Sequence, residues 1–277
     1  MNEELLKAIV KLFAIIAKER ITNDKRSNVQ DFLSIHLSHD SIGNYMALFD
    51  QHIETANTNA VEIDHDDTET IEYVDDWDNI MKLCKPINEG LTKQQKLVLI
   101  LKLIEFVLQD SIMSEGKSNI FYKIGEVINV SQQEIDLIKK FITAQDYDDI
   151  DSEYFLIVDE GSMPHDYLSK HILRPNITGF IFVLRIPDAD TYFVKYLGIS
   201  ALSLNGLNLR SRKAYVFPTG STIRGSKMKP VLYSAVVSKF GEDTQLSNVA
   251  APEADYKESF FSRVKTKFIK TKNWFKS

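Results

Sequence analysis

A helical segment that occurs twice is the feature that most constrains the fold of this chain. The stretch Leu91–Glu115 aligns without a gap on Met1–Asp24 when it is moved back by 91 positions, so that Lys102-Leu103 lies on Lys11-Leu12. The apolar residues of both copies follow the i, i+3, i+4, i+7 spacing of an amphipathic helix. A repeated helix and turn predict a duplicated helical unit. In the second copy we expect four apolar side chains to be buried: Val98, Leu101, Ile104 and Leu108.

Each copy continues with a pattern that predicts two further helices. In the second copy, Thr92 with Gln95 and Ser131 with Glu134 have the spacing of capping boxes, which mark helix starts. Residues 1–148 are therefore predicted to form an all-helical domain. An acidic insertion at 57–78 separates the copies, and residues 62–78 carry nine Asp or Glu with no Lys or Arg. Its cluster Asp64-His65-Asp66-Asp67 is either a cation site or part of a solvated link, and like-charge runs favour the link.

The pattern changes near Asp151, where short β-type runs begin. Asn205-Gly206 between two apolar runs is a strong hairpin signal. Short strands at this spacing predict an antiparallel β-sandwich or barrel over residues 151–240. The predicted β runs are Tyr154–Val158, Gly179–Ile186, Thr191–Tyr196, Ala201–Leu204, Ala214–Phe217 and Val231–Val237.

The end of the sequence combines a polar linker, 241–255, with a basic amphipathic helix, 256–277. Residues 257–277 carry seven Lys or Arg against one Glu. Aromatic side chains on one face of such a helix indicate either an interfacial membrane anchor or a helix that docks on a protein. The residues predicted to make this contact are Phe260, Phe261, Val264, Lys265, Lys267, Phe268, Lys272, Trp274 and Phe275.

Composition and motifs exclude several functions. The net charge is −6 and residues 257–277 contribute +6, so the remainder carries −12; so acidic a body argues against binding duplex nucleic acid. The lone Cys84 excludes a disulfide framework and fits a reducing compartment. Gly220–Lys227 has Ser and Lys in the wrong order for a phosphate-binding loop, so we expect no nucleotide. Glu3 and Glu4 at the amino terminus are not typical of a secretory signal, and no apolar stretch is long enough to predict a membrane span. We expect a cytoplasmic protein.

The repeated turns carry the candidate metal ligands. Asp110 and Glu115 follow the second helix copy, and Glu19 and Asp24 follow the first as a weaker pair. Carboxylate oxygens favour hard cations such as calcium. The same acids also suit the start of a following helix, where they interact favourably with its dipole. We favour this second interpretation and expect no cofactor, with a divalent cation as the alternative.

The repeated helix and its turn resemble the tellurite-resistance TerB-like family, which is all-helical and duplicated. The family turn reads roughly Ala-Asp-Gly-x-Ile-x-x-x-Glu, and here Ala17–Ile21 and Leu108–Ile112 occupy it. Both copies lack the glycine, and the first copy lacks the aspartate. The resemblance implies metal binding through the turn acids, with Asp110 and Glu115 as the better-kept pair.

The β region is similar to a forkhead-associated (FHA) module in its second half. Tyr192–Gly198, Leu204–Gly206 and Phe217–Ile223 follow that module's strand and hairpin order. Its phosphothreonine-reading Gly-Arg and Ser-x-x-His elements have no match, so phosphopeptide recognition is not implied. The two modules together resemble the amino-terminal half of bacterial ABC-transporter-associated proteins, in which an ATPase cassette and membrane segments follow.

These observations predict an α+β multidomain protein: a TerB-like helical bundle, an FHA-like β-sandwich and a C-terminal amphipathic helix. No catalytic residues stand out, and we predict a non-enzymatic adaptor or regulatory module. It would act at the cytoplasmic membrane face, peripheral on the inner side of the plasma membrane. Its partners would be a protein, such as a transporter or envelope complex, and an anionic lipid surface. The alternative is a metal-responsive stress-resistance protein.

Overall fold

The chain folds as an α+β protein, which confirms the predicted class. The computed structural model describes residues 3–17, 23–34, 37–58, 77–108, 115–161 and 167–241, and Met1–Phe240 forms one compact unit. The described helices are α1 (Glu3–Ala17), α2 (Asn23–Ser34), α3 (His39–Thr58), α4 (Trp77–Gly90), α5 (Lys93–Leu108), α6 (Glu115–Ile128), α7 (Gln132–Thr143) and α8 (Tyr233–Gly241). The described strands are β1 (Phe155–Asp159), β2 (Lys170–Leu173), β3 (Gly179–Ile186), β4 (Thr191–Gly198), β5 (Leu202–Leu204), β6 (Leu207–Asn208), β7 (Ala214–Val216), β8 (Thr222–Gly225) and β9 (Val231–Leu232).

The helices recur at close to the offset of the sequence repeat. Helix α1 ends at Ala17 and α5 ends at Leu108, which is 91 positions later. The starts of α2 and α6 differ by 92 positions, and those of α3 and α7 by 93. Leu101 and Ile104 are fully buried, as expected, whereas Val98 and Leu108 are only half-buried.

Both predicted capping boxes are confirmed. The Thr92 backbone N–H donates to Gln95 Oε1 at 2.9 Å, and the Gln95 N–H donates back to Thr92 Oγ at 3.3 Å. At the start of α7, the Ser131 N–H donates to Glu134 Oε2 at 2.7 Å while Ser131 Oγ accepts from the Glu134 N–H. Each box satisfies backbone donors that a helix start leaves without partners.

The strands form two sheets. The first, here called the inner sheet, has the order β2-β1-β3-β4-β7, with β1 and β2 parallel and the other neighbours antiparallel. The second, here called the outer sheet, has the order β6-β5-β8-β9 and is antiparallel throughout. The antiparallel pairs β3–β4, β5–β6 and β8–β9 are joined by short turns, which is consistent with the turn residues in the sequence.

The inner sheet is covered on both faces. Phe155, Phe182 and Phe193 belong to the hydrophobic core of the helices. Their sequence neighbours Leu156 and Val183 belong instead to a second core that is shared with the outer sheet and α8. Alternate residues of a strand point to opposite faces, so the chain stacks helices, inner sheet and outer sheet as three layers. The helical core therefore continues across residue 151 into the strands.

Four elements differ from the sequence predictions. The predicted β run Val231–Val237 is wrong, since only β9 is extended and α8 begins at Tyr233. The Tyr233 N–H donates to the Ser221 carbonyl at 2.9 Å, and Val236 and Phe240 then face the second core with helical spacing. Helix α4 and the strands β2 and β8 were not among the predicted elements. The division of residues 1–240 into two domains stays a prediction.

The Asn205-Gly206 turn confirms the predicted hairpin between β5 and β6. Both residues have positive φ, 51° and 88°, as a type I′ turn requires. A Cβ added to Gly206 would meet no atom within 4 Å, and the same holds for Gly43 inside α3. The two glycines therefore differ in backbone conformation but not in steric room.

We expect alanine at these two glycines to change stability in opposite directions. Gly206→Ala should lower the free energy of unfolding by about 1–2 kcal/mol, because an L-residue is strained at positive φ. Gly43→Ala should raise it by about 0.5–1 kcal/mol, because alanine loses less entropy in a helix. Urea unfolding of both variants checks this, and equal shifts would contradict the turn assignment.

Candidate functional site

A buried lysine joins the helices to the inner sheet. Lys195 lies in the middle of β4 and is 1% exposed. Its Nζ donates to the backbone carbonyls of Ile142 at 3.0 Å and Ala144 at 2.7 Å, which lie at the C-terminal end of α7. The carbonyls at a helix C-terminus lack intrahelical partners and carry partial negative charge. The ammonium supplies the donors that this helix end needs.

The surroundings of Lys195 disfavour its charged form. Burial lowers the pKa of the Lys195 ammonium to about 7, the carboxylates of Glu105 and Asp149 act in the opposite direction, and the Arg212 guanidinium lowers it further. The rings of Phe141 and Phe182 lie 5.6 and 5.8 Å from Nζ. Lys195 thus has no route to solvent and serves to fix α7 on β4.

A second polar contact covers the edge of the inner sheet. Glu105 on α5 accepts the backbone N–H of Ala214 at 3.0 Å, and Lys102 donates to the Ala214 carbonyl at 3.0 Å. Lys102 and Glu105 also pair with each other at 2.6 Å. Strand β7 is the last strand on this side, so two side chains occupy the backbone groups that an added strand would use.

Cys84 and the His171–Asp159 pair are two further groups whose side chains have reactive chemistry. The Cys84 thiol is fully buried in α4, and burial raises its pKa to about 12, so it stays protonated near neutral pH. His171 Nε2 lies 2.8 Å from Asp159 Oδ1, which also accepts the Gly161 N–H at 2.9 Å. This carboxylate–histidine pair ties the adjacent ends of the parallel strands β1 and β2.

Three loops meet at one end of the two sheets. They are 199–201 between β4 and β5, 209–213 between β6 and β7, and 226–230 between β8 and β9; we call them the basic loop end. The Leu209 N–H donates to the Leu202 carbonyl at 2.9 Å, and Gly225 pairs with Leu202 in the outer sheet. These contacts bring the end of β6, the start of β5 and the end of β8 side by side.

The loop backbones are held in place by hydrogen bonds. Gly198 donates to Ser211 Oγ at 3.3 Å, and the Arg212 N–H donates to the Tyr196 carbonyl at 2.7 Å. The Arg210 N–H donates to Tyr215 Oη at 3.0 Å. In the third loop, Met228 is buried in the second core. The loops therefore present their exposed side chains from a fixed base.

The basic loop end carries cations without acids. Residues 191–241 contain eight Lys or Arg and no Asp or Glu. Of these cations, four are exposed on the loops: Arg210, Arg212, Lys227 and Lys229. Arg224 is exposed on β8 opposite Ser203. Ile199 lies among them with 69% of its surface exposed.

One acid of the helical layer borders this surface. Asp31 on α2 pairs with Lys213, and its carboxylate lies 4.0 Å from the Arg210 guanidinium. Among the described residues, no carboxylate forms an ion pair with Arg212, Lys227 or Lys229. The sequence predictions missed this surface because they compared charges only in two runs, and a count of acids over 191–241 would have found it.

The residues predicted from sequence to bind metal, membrane or a partner lie outside the described part of the chain. Glu19 and Asp110 fall in undescribed turns, and the side chains of Asp24 and Glu115 are likewise not described, although their backbones belong to α2 and α6. The whole 256–277 segment is also outside it. These predictions stay predictions.

Searches of the described residues and of known proteins give three negative findings. Within the described ranges, no group of three or more His, Cys, Asp or Glu is placed to hold a metal ion. Among the helices of that part of the chain, none is long and apolar enough to cross a membrane. No family model, curated protein or solved structure matches the chain.

Replacing Lys195 by methionine tests its role. The variant keeps the side-chain volume but leaves the Ile142 and Ala144 carbonyls without a donor, and each such group costs about 1–3 kcal/mol. We expect a loss of about 2–4 kcal/mol in the free energy of unfolding near pH 10, where the wild-type lysine is neutral in the fold and still donates.

The difference in free energy of unfolding between wild type and Lys195→Met should become smaller as the pH falls. With a folded pKa of about 7 against an ordinary value of 10.5, the unfolded chain holds a proton that the folded chain has released. Wild-type stability therefore rises from pH 7 to pH 10 by up to about 1 kcal/mol per pH unit, and the variant lacks this rise. Urea unfolding at several pH values checks it, with Lys82→Met on exposed α4 surface as the control. Parallel pH profiles for wild type and Lys195→Met would contradict it.

Proposed function

We propose that the chain is a non-enzymatic adaptor or regulatory module that works at the cytoplasmic face of a membrane. The basic, apolar segment 256–277 would attach it to lipid or to an integral membrane partner, and the compact unit would make protein contacts. The observation that carries the proposal is the basic loop end, whose three loops contain no Asp or Glu and are held by backbone hydrogen bonds. Its charge suits an environment of anionic groups.

The buried charges of the compact unit support a binding role over a catalytic one. Lys195 is used at a helix end, Glu105 and Lys102 are used at a sheet edge, and Asp159 with His171 joins two strands. Each group already has a structural partner, so a reaction would have to disrupt contacts between the layers. Recognition at the surface needs no such disruption.

We also propose that the chain contains a duplicated TerB-like helical unit and an FHA-like β module. The recurrence of α1 and α2 as α5 and α6 at an offset of 91–92 positions supports a duplicated TerB-like unit. The two packed sheets and the Asn205-Gly206 hairpin support an FHA-like module. A protein that joins both modules would fit a partner of the ABC-transporter or envelope-complex kind.

Deleting Tyr256–Ser277 tests the attachment. Full-length protein should sediment with the membrane fraction of its host cell, and the deletion variant should move to the supernatant, because about seven cations and several aromatic side chains are lost. Fractionation followed by immunoblotting measures this. A scrambled tail of the same composition is the control for helical amphipathicity, and an unchanged distribution of the deletion variant would refute the proposal.

A metal-responsive protein is the second candidate, and the helix recurrence favours it because equivalent turns would place Glu19 with Asp24 and Asp110 with Glu115. Calcium should then raise the melting temperature, and Asp110→Asn should remove the rise, since binding to the folded state stabilises it. Thermal unfolding with and without calcium measures this. Asp78→Asn, in the exposed first turn of α4, is the matched control. If calcium does not shift the melting temperature, the metal-responsive alternative is wrong.

A further inference from the structure

We propose that the basic loop end binds the headgroups of an anionic phospholipid surface, with Ile199 entering the interface. The proposal rests on the membrane role proposed above but does not involve the 256–277 segment. It assigns a second lipid contact to the compact unit itself. Such a contact would fix which side of the unit faces the membrane, and a tail joined through a polar linker leaves that orientation open.

Three cations on the second and third loops are available to an external anion. Arg212, Lys227 and Lys229 are exposed and have no ion-pair partner among the described residues. Lys213 and Arg210 differ, because Asp31 lies next to both. Cations without a local acid keep their full attraction for a negatively charged surface.

Acidic groups elsewhere at this end do not neutralise the loops. Asp159 ends β1 and Glu160 follows it, and β1 is separated from β4 by β3. Asp159 is paired with His171. The negative charge therefore lies toward the β2 side of the inner sheet, and the positive charge lies toward the outer sheet.

The shape and composition favour a membrane over a peptide. The cations lie on two separate loops, 209–213 and 226–230, and their side chains are exposed. A phosphorylated peptide is usually held by converging groups at a fixed point. An aliphatic side chain exposed among lysines suits the boundary between headgroups and acyl chains, as in interfacial segments. Ile199 is such a side chain, and Ala201 beside it is small and exposed.

The fixed loop backbones lower the cost of binding. The Arg212 N–H bond to Tyr196 and the Arg210 N–H bond to Tyr215 hold the second loop, and buried Met228 holds the third. Ordering a mobile loop on binding would oppose association. Here the ordering is already part of the fold, so the electrostatic attraction is retained as affinity.

Charge removal on the third loop tests the electrostatic part. The full-length Lys227→Gln/Lys229→Gln variant should bind phosphatidylserine-containing phosphatidylcholine vesicles about 10- to 30-fold more weakly than wild type, since each cation near an anionic leaflet contributes about fivefold. Lys82→Gln/Lys85→Gln on α4 removes the same charge from an exposed helix and should change binding much less. Vesicle co-sedimentation measures both variants, and thermal unfolding confirms that they fold. Equal weakening by the two variants would overturn the proposal, because only net charge would then matter.

A fluorescent label at position 199 tests insertion. Cys84 is fully buried, so Ile199→Cys can be labelled selectively with an environment-sensitive dye such as NBD. The emission should shift to the blue with phosphatidylserine-containing vesicles and stay unchanged with phosphatidylcholine alone. The same dye on Met81→Cys of α4 is the control. An identical response at both positions, or none at position 199, would overturn the insertion of Ile199.

Different outcomes of these experiments distinguish the tail contact from the loop contact. If deletion of Tyr256–Ser277 abolishes vesicle binding while Lys227→Gln/Lys229→Gln leaves it intact, the proposed tail attachment stands and the loop contact is wrong. If only the loop variant weakens binding, the loop contact stands and the tail attachment is wrong. If wild type binds an acidic phosphopeptide through Lys227 and Lys229 but binds no vesicle, the partner is a protein and this inference is overturned.

Discussion

The contact on which the rest of the structure depends is the one between Lys195 and the end of α7. A lysine in the middle of a central strand is costly to bury, and it persists because two carbonyls at a helix C-terminus need donors. An apolar side chain at this position could pack against Phe141 and Phe182, but it would leave those carbonyls unsatisfied. The contact therefore fixes the C-terminal end of α7 on β4. This polar match gives the interface between helices and sheet a defined register, which apolar packing alone specifies less strictly.

Neither face of the inner sheet is exposed to solvent once the sheet is fixed beneath the helices. The protection of its edges and the position of the outer sheet follow from this. Strand β1 is buried at every position, and so are the first six residues of β4. Both edges of such a sheet need protection, and Glu105 with Lys102 provides it at β7. The outer sheet then covers the far face, and the loops 199–201, 209–213 and 226–230 lie at one end of it. The exposed cations consequently lie on loops whose backbones are anchored in two sheets.

The sequence pattern predicted the parts of this fold that depend on local chemistry. The bounds of β3, the hairpin at Asn205-Gly206 and the capping box at Ser131 all follow from residues that act on near neighbours. The predictions failed where contacts between residues distant in sequence determine the local structure. Val231–Val237 is predicted as a strand because it is mostly apolar and contains three β-branched valines. The bond from Tyr233 to Ser221 instead marks the start of α8, on which Val236 and Phe240 reach the core. Strand β2 is four residues long, and its own sequence does not predict a strand. Its extended conformation is defined by its pairing with β1.

The candidate surface shows the same division between sequence and structure. The absence of acids over 191–241 is visible in the sequence, but that count includes Lys195, which is buried, and Lys213, which is paired with Asp31. Only the fold separates these from Arg212, Lys227 and Lys229, and only the register between β5 and β8 brings loops that are about 30 residues apart in sequence to one end. Charge pattern therefore indicates that a basic surface exists, and strand pairing determines which cations share it. The Arg212 N–H bonds to the Tyr196 carbonyl of β4, the strand that also carries Lys195, so the proposed binding surface and the central buried contact share one strand.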